Sequence, residues 1–122
     1  MAVAEDITGA LQKVTWTWTT AADGSYSAAT TNQYNGAIQQ LITIPADGPT
    51  DNYDITITDS GSVDVLAGQG ADRDTANTEY KFASAGLGFV KSSKLTLAIA
   101  NGGNAKSGKA ILYILDLDKG MN

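Results

Sequence analysis

The sequence predicts an all-β protein, an antiparallel β-sandwich or jelly roll of about seven to eight strands. Three observations carry that expectation. Apolar residues recur with period 2 wherever they cluster, turn-forming groups of Gly, Asn, Asp and Pro punctuate the chain roughly every ten residues, and no stretch shows a helical period.

The clearest stretch runs from Asn52 to Ala67. Tyr53, Ile55 and Ile57 alternate with Asp54, Thr56 and Thr58, and beyond Asp59-Ser60-Gly61 the alternation resumes at Val63 and Val65. A two-residue loop at Ser60-Gly61 would mix the faces. A three-residue loop sets Ile57 opposite Val63 and Ile55 opposite Val65, so that all the apolar residues share one side. The expected hairpin is therefore a type I turn closed by Gly61 in the left-handed region. A one-residue slip would turn the whole apolar set to water, which ties the turn to the pattern.

The other elements follow in order. Met1 to Ala10 is small, acidic and without periodicity, so residues 1–12 are expected to form a flexible arm, 13–117 one β-sandwich domain and 118–122 a tail. Val14, Trp16 and Trp18 alternate with threonines in a clean strand. Thr20 to Asn32 carries the turn signal Asp23-Gly24 and reads as a loose hairpin or a long loop. Tyr34 to Ile44 is a half-buried strand bent at Gly36 and ended at Pro45, which cannot donate to a ladder. Gly68 to Thr78 is a polar loop too long for a tight turn, hence a candidate functional loop. Glu79 to Ala83 is a short strand with Tyr80 and Phe82 on one side, and Ser84 to Ser93 reads as irregular. Leu95, Leu97 and Ile99 mark another strand. After the Asn101–Asn104 turn, Lys109 to Leu117 closes the chain with apolar residues on both sides: Ile111, Tyr113 and Leu115 on one, Ala110, Leu112 and Ile114 on the other. A strand with two apolar faces is central or lies against a second molecule. Trp16, Ile55, Ile57, Val63, Leu97 and Leu112 are the expected core.

At 122 residues, 43% hydrophobic and 17% charged, the chain has enough apolar material for one core and too little for two. No run approaches the length of a membrane-spanning helix, and the acids of MAVAEDITGA stand where a secretory signal carries positive charge. The net charge of −5 argues against nucleic acid as the main partner. Charge is uneven along the chain, with a net of −9 over residues 1–79 and +5 over residues 80–115. Either the two halves complement each other between neighbouring copies, or strands from both interleave.

The search for chemistry yields no catalytic, cofactor or metal residues. Without His or Cys there is no His-based triad, thiol nucleophile or ordinary zinc site. Gly68-Gln69-Gly70 and Gly86-Leu87-Gly88 open no helix and so cradle no phosphate. Asp72-Arg73-Asp74, with Asn77 and Glu79, offers oxygens to calcium, but Arg73 opposes a cation and the spacing of a calcium loop is missing, which favours a solvated loop. Trp16 and Trp18 form either a sugar-stacking platform or core, and Val14 on the same side favours core. The chain is not expected to be an enzyme and calls for no cofactor.

The runs PTDNYDITITDSGSVDVLAGQGADRDTANTEY and KLTLAIANGGNAKSGKAILYIL resemble small virion proteins of tailed bacteriophages, in which a β-hairpin leads into a VDVLAGxGADRDTANTE-type loop and a KLTL strand into an Asn/Gly-rich turn. The resemblance covers about residues 14–115. It implies a non-catalytic structural role, foremost a capsid decoration (cement) protein that binds the major capsid protein on the outer capsid surface after assembly in the host cytoplasm. A tail, neck or baseplate component is the alternative, and a carbohydrate-binding module a further one. The two-faced last strand adds an expected homo-oligomer, with a homotrimer preferred. No membrane or nucleic-acid partner is expected.

Overall fold

A computed structural model of the chain describes residues 3–48 and 53–116. Among them are nine strands: β1 (Val3–Asp6), β2 (Leu11–Thr19), β3 (Tyr26–Ala29), β4 (Tyr34–Asp47), β5 (Asp54–Thr58), β6 (Glu79–Phe82), β7 (Phe89–Ser93), β8 (Thr96–Ala100) and β9 (Ser107–Leu115), with a single 3-10 turn at Ala83–Ala85. All pairings are antiparallel. The large sheet runs β1-β2-β9-β4-β6, with β7 also on β4, and the small sheet runs β3-β8-β5. The fold is the expected all-β sandwich.

The core is where the alternation put it. Val14, Trp16 and Trp18 of β2 and Ala110, Leu112 and Ile114 of β9 meet Ile55 and Ile57 of β5 and Leu97 and Ile99 of β8, all fully buried or nearly so. Burying a side chain of this size is worth about 1.5–3 kcal/mol. The Trp16 indole N–H also donates to the Ala28 carbonyl at 3.1 Å, which joins the two sheets. Trp18 lies against Tyr53, ring centroids 5.4 Å apart, where burial pushes the Tyr53 hydroxyl up to about 12. The open sides of the sandwich are laced as well. On one, Ile38 N–H donates to Gly88 O and Gly88 N–H to Val65 O. On the other, the Glu5 carboxylate accepts from Thr31 N–H, Asn32 N–H and the Tyr34 hydroxyl at 2.8–3.1 Å.

Several sequence expectations need correction. Residues 3–6 of the expected arm are a paired strand, in register Val3↔Trp16 to Asp6↔Lys13, because Glu5 supplies the anchorage that the local pattern lacks. The tail over 118–122 lies outside the described residues. Beyond β5 there is no second hairpin strand. Thr58 bridges Asp64, Val65 N–H donates to Ile57 O, and Val63 is 60% exposed at the tip of a longer turn. The left-handed residue is Ser62 (φ 63°), not Gly61. The reason is Asp59: its Oδ1 accepts from Gly61 N–H and Val63 N–H, which builds an Asx-type turn around the aspartate. β4 continues through Pro45 to Asp47 because Pro45 sits at a register irregularity, where no ladder donor is required. The segment read as irregular contains β7, and β3 forms within the undecided stretch. The bend at Gly36 is present (φ 139°), and a Cβ there would collide with the Leu115 carbonyl of the neighbouring strand.

Candidate interaction face

The register of the large sheet lays out its outer surface as a grid. Because Gln12, Val14, Trp16 and Trp18 point inward, the odd residues of β2 point out, together with their partners across β9, β4 and β6. The first row is Leu11, Leu115, Ala37 and Phe89. The second is Asp6, Lys13, Tyr113, Gln40 and Phe82. The third is Ala4, Thr15, Ile111, Ile42 and Tyr80, and the last is Thr17, Lys109 and Ile44. β9 is thus central, with Ala110, Leu112 and Ile114 in the core and Ile111, Tyr113 and Leu115 half-covered on the outside.

This face gathers the exposed apolar side chains of the molecule. Five large hydrophobics are exposed among the described residues, and four lie here: Leu11 (57%), Tyr80 (56%), Phe82 (55%) and Phe89 (72%). The fifth is Val63. Between them Leu11, Gln39, Gln40, Ile42, Phe82 and Tyr113 line an open depression of about 470 Å³. Lys13 places its Nζ 5.9 Å from the centre of the Tyr113 ring, within reach of a cation–π contact. Exposed apolar side chains gathered on one face in this way make it the candidate surface for interaction among the described residues.

The other sequence candidates resolve into structure. Trp16 and Trp18 are fully buried, so that pair is core and offers no platform for a sugar. The polar loop after β5 packs along its free edge: Ile55 N–H donates to Gly70 O and Arg73 N–H to Tyr53 O. Its acids tie the loop to itself and to β5. Asp64 accepts from the backbone N–H groups of Ile57, Leu66 and Gly68 at 3.0–3.1 Å, and Asp54 accepts from Asp72 N–H and the Asn101 amide at 2.9 Å. Asp74 accepts from Ala76 and Asn77 N–H, which holds its carboxyl below the usual range. Arg73, the awkward residue of the calcium reading, is buried: its guanidinium lies 3.1 Å from Glu79 and donates to Ala71 O. Among the described residues no three acidic side chains converge on a point where an ion could sit, and no helix is long and apolar enough to cross a membrane.

Sequence reasoning found part of the face and missed part. The two apolar sides of β9 and the shared side of Tyr80 and Phe82 were legible. Leu11 was hidden in the expected arm and Phe89 in the stretch read as irregular. The signal for both was present only in the pairing of distant strands. Compared with known proteins, the chain matches no family model and no curated protein.

Proposed function

We propose that this protein is a non-enzymatic structural component of a tailed-phage particle. Within that class we assign it to capsid decoration: a self-associating cement protein that binds the major capsid protein on the outer surface of the head. The observation that carries the reading is the outer face of the large sheet, where exposed apolar side chains are gathered while the polar loops are occupied by internal hydrogen bonds. The resemblance of residues 14–115 to small virion proteins supplies the particle. Purified protein added to empty heads that lack it should co-sediment with them and raise their resistance to heat. Failure to bind heads, with binding to isolated tails or baseplates instead, would move the assignment to those parts.

A second reading, a carbohydrate-binding module, draws on the depression itself, where Gln39 and Gln40 amides stand beside the Phe82 and Tyr113 rings. Calorimetric titration with oligosaccharides tests it. Heat of binding abolished by Phe82→Ala would support the module, and its absence removes it.

A further inference from the structure

We infer that the outer face of the large sheet is the contact between copies of this chain. The inference rests on the structural role proposed above and names the partner of that face. Three observations converge on a second copy as the occupant. The first is shape: the face carries both a projecting ring, Phe89 at 72% exposure, and an open depression of about 470 Å³ between Leu11, Phe82 and Tyr113. A face holding knob and hole together is complementary to itself, which is what a symmetric contact requires.

The second is charge. The molecule carries a net −5, and any approach through the loops around β5 sets Asp54, Asp59, Asp64, Asp72 and Asp74 against the same acids of the other copy. The outer face carries Asp6, neutralised by its register partner Lys13, and the lysines Lys109 and Lys91, the latter lying two residues along β7 from Phe89 and exposed as it is. Two copies meeting here keep the acids of the β5 loops apart. The third is size. Four residues each at β1 and β6 and about nine each at β2, β9 and the paired part of β4, at about 3.4 Å per residue and about 4.8 Å between strands, span on the order of 600 Å², comparable with the roughly 800 Å² per partner of a stable interface.

Sedimentation velocity of the full chain at micromolar concentration tests the inference. Wild type and the control Val63→Lys, altered at the far turn, should both sediment at a whole multiple of the 12.6 kDa protomer. Phe82→Lys and Phe89→Lys should sediment as protomers with unchanged far-ultraviolet circular dichroism. Should Phe82→Lys fail to fold, Phe89→Lys decides alone, since its ring is already in water. A wild type that sediments as a protomer, or face variants that keep the full mass, would overturn the inference. Binding to empty heads is scored separately. Heads bound by a protomeric wild type through this face would assign it to the shell and overturn the inference while leaving the particle role intact. Oligomers dissociated by the face variants, yet indifferent to heads, would keep the inference and remove the decoration role.

Discussion

The two sides of the molecule solve opposite problems with the same kind of strand. Along β5 the free sheet edge is wrapped by the polar loop that follows it: Gly70 O takes the Ile55 N–H and the Asp64 carboxylate the Ile57 N–H that a further strand would have paired. Across the large sheet the ladders are complete, and apolar side chains are left on the outer surface. The comparison shows that acidic composition and exposed charge are different things. Much of the negative charge in the first 79 residues holds loops, and the outer face of the large sheet is the apolar one. An unpaired edge invites any strand. The loop wrapped along β5 removes that invitation there.

The largest effect should come from the shared interior. Trp16→Ala removes a fully buried indole and its hydrogen bond to Ala28, and chemical denaturation should show a loss of about 3–5 kcal/mol. A loss below 1 kcal/mol would mean that the two sheets do not depend on each other. Next is the wrapped edge. Asp64→Ala strands the Ile57, Leu66 and Gly68 amides and should cost about 2–3 kcal/mol, with faster hydrogen exchange at Ile57 than at Leu97. Equal exchange at the two positions would show that the edge needs no tie.

A smaller effect sharpens the comparison at the opposite edge, β1. Burial alone would raise the Glu5 carboxyl, but hydrogen bonds from Thr31, Tyr34 and Asn32 outweigh it and hold the group below its ordinary 4.5. Because the folded value is the lower one, the stabilisation is complete above about pH 4.5 and is lost as the pH falls through the folded value. Amide exchange at residues 4–6 should therefore accelerate in acid before the core opens, and Glu5→Gln should abolish that pH step. The smallest effect belongs to the turn: Ser62→Gly relieves a left-handed non-glycine residue and should stabilise by about 0.5–1 kcal/mol in thermal melts. A destabilisation would mean that the Ser62 side chain contributes more than its backbone costs.

These contrasts also explain what the sequence disclosed. β2, β8, β9 and most of β4 were legible because each alternates over five or more residues against a continuous core. The partner of β5 was not. Parity correctly placed Ile57 and Val65 on one side, but a hairpin ladder and a loop pinned by one aspartate have the same alternation, and only the Asp64 side chain distinguishes them. β1 was invisible because four residues hold no period, and its order comes from Glu5 reaching residues 26 to 29 positions away. The outer face was half legible. Tyr113 and Phe82 declare themselves on their own strands, whereas Leu11 and Phe89 become neighbours of that surface only through Leu115 and Ala37.

The central place of β9 sets the order in which the molecule can be made. β2 and β4 have no ladder with each other; each pairs with β9, whose residues 107–115 are the last described strand to leave the ribosome. Until they emerge, Trp16, Trp18 and Leu41 have a sheet to belong to but no middle of it. The nascent chain must carry those side chains uncovered through most of its synthesis, and the large sheet closes only when β9 inserts between strands about 70 and 95 residues upstream. Truncation within β9 should therefore yield insoluble protein, where loss of β1 should leave the sandwich standing.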